Sequence, residues 1–476
     1  MNIKIVLFNL ALVFIITQFL FSLPIFSDTE DVTTFFSETS SKSESSKTEN
    51  SSQTSKKVTN SSEKNKTSSK ITKPTKVTAT QTVVTDDKIK EPKHQTSFNS
   101  LIISSTHTPV NQNNYFQISL LNSKEKALYK NILNTILASK NIVDTSALSA
   151  SDKDVSAAFQ QVLADYPEFF YISKSYVLIY SSNKNTVQYV LILYTDGATT
   201  DEFNQDIELT KSADRKIINK KITALNKTVD HLISKIPANA ADVIKERLVH
   251  DFIAEKVTYD IQSAENIDSY DITIPHAFDI YGAAVEGAAV CEGYSKLFQF
   301  LCLQVGINST QVIGTSNGGG HMWNAVLIDG EWYQLDLTWN DSDDIVSYKY
   351  FNLTTQEISK DHLIDSTVLA VPNCTSLENS FKNIFAIYIK DLKHPPTKYE
   401  NAVSNTKAVN GKSVYIYIEG HELDSIGVIK LKKYTSFLNR YFFNPYSDFY
   451  LYLSDQELTL SNKIETDYEY IILNFQ

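Results

Sequence analysis

Cysteine is almost missing from this chain: 476 residues hold three, at positions 291, 302 and 374. So few thiols exclude a disulfide scaffold. If Cys291 is a working thiol, at most one bridge remains, Cys302 to Cys374. Cys291 and Cys302 cannot join on one helix, because eleven residues at ~1.5 Å rise separate them by roughly 16 Å. A disulfide tolerates at most about 7 Å between Cα atoms. Positive charge is short as well. Lys and Arg total 44 against 55 Asp and Glu, a formal charge of −11. With no basic arm and no Gly-rich phosphate loop, nucleic acid is a poor partner. No HExxH motif or paired Cys/His spacing suggests zinc, and no cofactor is expected. Asp341, Asp343 and Asp344 form an acidic loop without the glycine and spacing of a calcium hand, and read as a solvated turn. No 20–50-residue repeat marks a solenoid.

The first residues present the reverse picture. Positions 5–26 are almost wholly apolar, preceded by Lys4 and followed by Asp28, Glu30 and Asp31. That asymmetry places the N-terminus inside and the rest of the chain across the membrane. The run is long enough to span a bilayer and lacks a clear cleavage signal, so a signal-anchor (1–26) is the favoured reading, a cleaved signal peptide its rival. Residues 27–112 read as a disordered Ser/Thr/Lys-rich stalk. Between 41 and 70 the only aliphatic or aromatic residue is Val58, too little apolar surface to offset chain entropy.

Order is expected from about Tyr115. Helical spacing covers 123–139 and 152–165, two β-rich runs meet at Ser182–Asn185, and a helical stretch spans 201–235. Residues 113–236 thus form a small α+β support module. Beyond 373, a helix (FKNIFAIYIKDL) and three aromatic-rich strands (SVYIYIE, DFYLYLS, YEYIILNF) make a second α+β module, 373–476.

Chemistry concentrates between them, in 237–372. An amphipathic helix is expected over 241–257. Small residues then lead to Cys291, and a helix runs from Cys291 to about Gln304, ended by Gly306. A thiol in a first helical turn faces unpaired N–H groups and the positive end of the helix dipole, which favour its thiolate and offer oxyanion donors. Cys302, inside the apolar run, reads as a buried small hydrophobe. Further on, two β-runs flank Asp329–Gly330, a hairpin signal because both turn positions need positive φ. The implied register opposes Ile328 to Glu331, Trp323 to Asp336 and His321 to Thr338. Alternation puts His321, Trp323, Asp336 and Thr338 on one face. His321 and Asp336 become diagonal neighbours, close enough for the carboxylate to fix the imidazole tautomer and free the other nitrogen for a thiol. Asn317–Gly320 carries three adjacent glycines, either a loop that a substrate passes closely or a plain flexible turn. His250 reads as a surface or internally satisfied residue, and His276 and His362 as loop residues outside any rival site.

Cys291 in VCEGYSK, His321 in HMWNAV and Asp336 in WYQLDLTWND resemble the bacterial transglutaminase-like superfamily, with YKYFNLTTQEISKDH as its continuation. The resemblance covers roughly 240–372. It implies an α+β fold with a papain-like core, 237–372, carrying Cys291 as nucleophile, His321 as general base and acid, and Asp336 to orient His321. It implies a protein or peptide substrate, at the cell surface if the anchor reading holds. Transglutaminase-type acyl transfer is favoured, with protease or amidase chemistry as an alternative and a vestigial binding protein as another. The matched motif carries no second oxyanion donor; Tyr259, in VTYD, is a candidate whose expected role is core packing. Brief digestion at low protease should cut within 27–112 and leave 113–476 resistant. Amide protection over 41–70 in hydrogen exchange would contradict the stalk.

Overall fold

The computed structural model describes residues 2–4, 81–83, 107–180, 186–194, 215–266, 275–342, 345–420, 431–467 and 469–476. The apolar run 5–26, most of the polar stalk, and residues 201–214 of the long expected helix lie outside them. No helix among the described residues is long and apolar enough to cross a membrane.

The chain alternates helices and strands in the order its periodicities dictate. Helix α1 (Ser123–Leu137) starts at Asn122, whose side chain caps Lys124 and Glu125 while Glu125 reaches back. Strand β1 (Ile142–Asp144) follows, then α2 (Asp152–Asp165), opened by a Ser151–Asp154 capping box. Strands β2 (Ile172–Tyr180) and β3 (Val187–Tyr194) pair antiparallel and β1 adds to β3, with Asn2–Lys4 and Gln81–Val83 extending the sheet beyond β2. Helices α3 (Arg215–Ile233) and α4 (Asp242–Lys256) lead into the middle of the chain.

There α5 (Cys291–Gln304) packs on a four-stranded antiparallel sheet. Its strands are β4 (Ser309–Ser316), β5 (Gly319–Ile328), β6 (Glu331–Leu335) and β7 (His362–Ile364), in the order β6-β5-β4-β7. Both hairpin turns have two successive positive-φ residues, Asn317–Gly318 and Asp329–Gly330. The glycine triplet is therefore a tight turn whose last two residues already belong to β5. In the C-terminal part, β8 (Ala386–Ile389) runs parallel to β9 (Ser413–Ile418), and β10 (Leu460–Asp467) and β11 (Tyr470–Phe475) complete the order β8-β9-β11-β10. Between β8 and β9 lies α6 (Glu400–Ala408).

Two expected elements here change type. DFYLYLS is a helix, α7 (Asp448–Asp455), capped by the Ser447 hydroxyl, with Phe449 and Leu453 one turn apart on its buried side. The aromatic run has strand propensity, but the cap and the four-residue spacing decide. FKNIFAIYIKDL yields only one helical turn, Phe381–Ile384, before β8, because the alternating β-branched residues that follow suit a strand.

One core is continuous from Tyr115 through α4 and α5 to Tyr415 and Tyr470. Leu297, Phe298, Phe300, Leu301, Cys302 and Leu303 are all essentially buried, so α5 is enclosed on nearly every side. Each large side chain so buried stabilises the fold by about 1.5–3 kcal/mol. The three cysteines are free and buried, so the possible Cys302–Cys374 bridge is absent.

Close approach at β7 depends on one glycine. Gly314 sits between His321 of β5 and Ile364 of β7. A Cβ there would lie 2.1 Å from the Leu363 carbonyl oxygen and 2.7 Å from the Trp323 ring. Gly314→Ala should cost about 2 kcal/mol or more in urea unfolding, because backbone cannot retreat as a flexible side chain can. An unchanged midpoint would show that β7 is not held this tightly.

Candidate active site

Cys291 is the first residue of α5, following Val290, whose extended backbone ends the incoming chain. Gly293 lets that turn sit against its neighbours: a Cβ would come within 2.5 Å of the Ala277 oxygen and 2.8 Å of the Ala289 Cβ. Glu292 is anchored from both sides, 2.7 Å from Lys174 of β2 and 2.6 Å from Lys296 one turn on. Burial would raise its carboxyl, but the two ammonium groups outweigh burial and hold it at about 2. A strand from the N-terminal part thus fixes the turn that bears the thiol.

Helix α5 is bonded directly to the strand that carries the histidine. Ser295 Oγ donates to the Met322 carbonyl at 2.9 Å, and Asn324 Nδ2 donates to the Ser295 carbonyl at 3.0 Å. Between those two residues Trp323 is fully buried and donates from its indole to Gln334 on β6 at 2.7 Å. His321, two residues before Trp323 on the same face, stands in hydrogen-bond contact with the Cys291 side chain. Its Nε2 lies 2.7 Å from Asp336 Oδ2, which leaves Nδ1 for the thiol.

Asp336 is placed differently from the expected ribbon. Strand pairing follows the anticipated register from Ile328–Glu331 to Asn324–Leu335 and then stops. Asp336 is instead the N-cap of a single helical turn, Leu337–Asn340, its Oδ1 accepting from the Trp339 amide at 3.2 Å. Thr338 lies in that turn and does not oppose His321. Asp is a strong cap former, and the cap ends the strand. The carboxylate still reaches His321, because the face of the last paired residues sets its direction.

A residue the sequence reading set aside completes the cluster. His362, expected in a loop, is on β7 and fully buried, with Nε2 3.0 Å from the same Asp336 Oδ2 and Nδ1 2.7 Å from Asp361. It packs between Trp323 and Trp339, ring centroids 5.0 and 4.9 Å away. Its strand is three residues long, too short for alternation to reveal; the adjacent Asp361 was the only hint. The ligand-capable atoms of His321, Asp336 and His362 lie within 4.8 Å of one another. Each is already used in hydrogen bonds inside the cluster, so the donor set reads as a bonded network.

His250 is neither at the surface nor in the site. It is buried on α4, bonded to Asp251 at 2.9 Å and to Asn340 at 3.2 Å, and so steadies the far end of the Asp336 turn. His276 opens a short 3-10 turn and pairs with Asp279. Asp341 lies 2.6 Å from the Tyr294 hydroxyl instead of in solvent, while Asp343 and Asp344 fall outside the described residues.

Tyr259 also departs from its expected packing role. A two-residue parallel pairing of Thr258–Tyr259 with Ala288–Ala289 brings it beside the turn that bears Cys291. It keeps 38% of its surface exposed. Its hydroxyl contacts the Cys291 backbone amide, and partial burial and then the Cys291 and Asp336 charges raise its pKa.

Electrostatically the pair is strongly coupled. Burial alone would lower the His321 pKa, but the Asp336 carboxylate and the Cys291 thiol outweigh it and raise it to about 10. Burial alone would raise Asp336, but His321 and then His362 hold it at about 2. The arrangement supplies a thiol at a helix N-terminus, an imidazole beside it, and a carboxylate orienting that imidazole. These are the parts of a cysteine-nucleophile site.

A family model described as Transglutaminase-like superfamily matches residues 230–337. Human (Homo sapiens) kyphoscoliosis peptidase is 28% identical over 213 residues, covering 39% of this chain and 30% of the relative. The mouse (Mus musculus) protein of the same name is 27% identical over 218 residues, covering 40% and 31%. The matches thus span less than a third of the length of these curated relatives. A solved structure described as a TGase aligns with 51% of this chain and 57% of its own, at 15% identity and a TM-score of 0.24, too loose a likeness to bear on fold or site.

Linkage gives the pair a pH signature. His321, raised from 6.5 to about 10, stabilises the fold fully below pH 6.5 and loses that contribution as pH rises through 10. Asp336, lowered from 3.8 to about 2, stabilises above pH 3.8 and loses its contribution as pH falls through 2. Asp336→Asn should therefore cost about 3 kcal/mol between those limits. The deficit should shrink toward either extreme. A pH-independent deficit would exclude the charge pair as its source. Cys291, His321 and Asp336 all belong to a domain of the transglutaminase-like superfamily carried by this chain.

Proposed function

We propose that this protein is a cysteine-dependent acyl transferase acting on protein or peptide amides through a Cys291 acyl-enzyme. One observation carries the reading: the buried His321, bound through Nε2 to Asp336, contacts the Cys291 thiol at the start of α5. In this cycle the Cys291 sulfur attacks a carboxamide carbon, and the carbonyl electrons move to oxygen. The Cys291 amide and the Tyr259 hydroxyl are the groups placed to receive that oxyanion. Collapse breaks the C–N bond, His321 gives its proton to the departing amine or ammonia, and a thioester remains. His321 then takes a proton from the second nucleophile, which attacks the thioester and expels the thiolate.

With an amine as acceptor the product is a new amide, transglutaminase-type transfer. Water as acceptor makes the enzyme a protease or deamidase, a reading favoured by the peptidase name of its relatives. The site is proposed to work outside the cytoplasm, on a chain held by the apolar segment 5–26, with protein or peptide substrates at the cell surface. The motivation is the charge asymmetry around that segment and the polar stretch after it.

Reactivity separates an enzyme from a scaffold without knowledge of the substrate. Iodoacetamide at about pH 6 should alkylate Cys291 far ahead of the other two cysteines. Burial pushes Cys302 well up and Cys374 to about 11. His321→Ala should slow labelling by at least about tenfold, the loss of an imidazolium partner. Equal reactivity of the three thiols, or indifference to His321→Ala, would move the reading to a binding protein with a vestigial triad. Full-length protein given a fluorescent primary amine and a glutamine-bearing protein then reports the acceptor: conjugate for transfer, ammonia or cut peptide alone for hydrolysis.

A further inference from the structure

The proposed cycle uses one histidine, yet the orienting carboxylate holds two. Asp336 Oδ2 accepts from His321 Nε2 at 2.7 Å and from His362 Nε2 at 3.0 Å, and the two rings stand 5.5 Å apart. His362 has a carboxylate oxygen at each ring nitrogen, because Nδ1 is 2.7 Å from Asp361 Oδ1. An ionised carboxylate can only accept, so each nitrogen must donate, and a ring donating from both nitrogens is an imidazolium. Neither carboxylate is arranged to supply the missing proton. Asp336 also accepts from the Trp339 amide, and its two histidines keep it ionised although burial opposes them. Asp361 Oδ2 accepts from the Tyr350 hydroxyl at 2.7 Å and has Lys349 at 3.8 Å.

Among the described residues His362 has no other hydrogen-bond partner for a ring proton. From β5 it meets His321, from the turn after β6 Asp336 and Trp339, and from the preceding loop Tyr350, whose hydroxyl accepts from Lys349. Just before its own strand Asp361 is beside it. Strand β4 offers only Ser316, Thr315 and Gly314 along the pairing. The charges then balance in a resting state where Cys291 is a thiolate and His321 an imidazolium. Asp336 and Asp361 are negative, His362 and Lys349 positive, and the Cys291–His321 ion pair is neutral overall.

We propose that His362 carries both ring protons and that its positive charge, held between Asp336 and Asp361, sets the proton affinity of the Cys291–His321 pair. It is a positioning residue, touching no reacting atom and acting through Asp336. A lone buried carboxylate beside His321 would hold the imidazole proton too firmly for the base step. A second cation on the same oxygen draws part of that field away and favours both proton losses, first from the thiol and then from the imidazolium.

The inference rests on the acyl-enzyme reading, and one experiment distinguishes failure of the two. The rate of Cys291 alkylation by iodoacetamide, located by mass spectrometry on the full chain, is measured from about pH 4 to about pH 12. Wild type should show an acidic limb where the thiolate forms and a second limb where His321 loses its proton. In His362→Gln, which keeps a donor toward Asp336 but no charge, both limbs should move to higher pH. The move should be about one to two units for a charge removed at this separation in an effective dielectric of about 20. Asp361→Asn changes a partly exposed residue, leaves the buried ring in place and removes the carboxylate that holds the Nδ1 proton. His362 then loses its charge, and both limbs should again move to higher pH, by less than in His362→Gln. Thermal melts identify a variant that fails to fold, and Asp361→Asn then carries the test. A purely structural His362 predicts otherwise. The limbs would stay fixed with lower amplitude, or converge as the ion pair loosens, and either result overturns the proposal. A wild-type profile with no limb at all overturns the acyl-enzyme reading and this inference with it.

Discussion

A carboxylate with no exposed surface must be compensated or protonated, and Asp336 is compensated by two imidazoles on one oxygen and an amide on the other. Each partner comes from a different element: His321 from β5, His362 from β7 and the Trp339 amide from the turn that Asp336 caps. The charge therefore demands that the sheet, its edge strand and the following turn be assembled together. An isolated hairpin could offer His321 but would leave the rest of the desolvation cost unmet. Once assembled, the groups that orient the imidazole are fixed in place, and in the proposed reaction they would need no reorganisation.

The geometry around that carboxylate is set by backbone. Gly314 allows β7 to come within bonding distance of β4, so that a ring two residues before Ile364 can reach beneath His321. The Ser295 and Asn324 bonds fix α5 to β5 on either side of Trp323, and the Glu292 ion pairs fix its first turn to β2. Thiol and imidazole thus hang from elements that cannot slide independently, a requirement for a nucleophile and base that must meet to within a few tenths of an ångström.

Much of this was legible in the sequence because local rules agreed. The Asp329–Gly330 turn fixed the register, and with it which residues share a face. The small residues before Cys291 and the apolar run behind it fixed the start of α5. Three readings failed where a local rule met a competing one. Asp336 as cap ended the ribbon that alternation continued. Ser447 as cap turned an aromatic strand pattern into α7. Tyr259, typical of packed aromatics, is held at the nucleophile by a two-residue strand pairing that no periodicity announces. His362 was beyond local reading altogether. Its contacts span 26 and 41 residues of sequence, and its strand has three residues.

Helix α4 shows why the C-terminal part belongs to the same physical unit as the site. Arg247, buried on that helix, lies over the rings of Phe385, Tyr348, Phe381 and Tyr415 at 4.5 to 5.6 Å, two of them from the helical turn before β8 and its end and one from β9. A guanidinium out of water is tolerated only where such faces and the nearby Asp251 replace its hydration. Removing the C-terminal sheet would strand that charge, so the fold needs the module whatever else it binds. Three residues beyond the end of α4 comes Tyr259, and His250 on the same helix bonds to Asn340 at the end of the Asp336 turn. The C-terminal sheet thus holds the helix from which both the proposed oxyanion side and the carboxylate turn take their positions. A support with no chemistry of its own still decides where the chemistry stands.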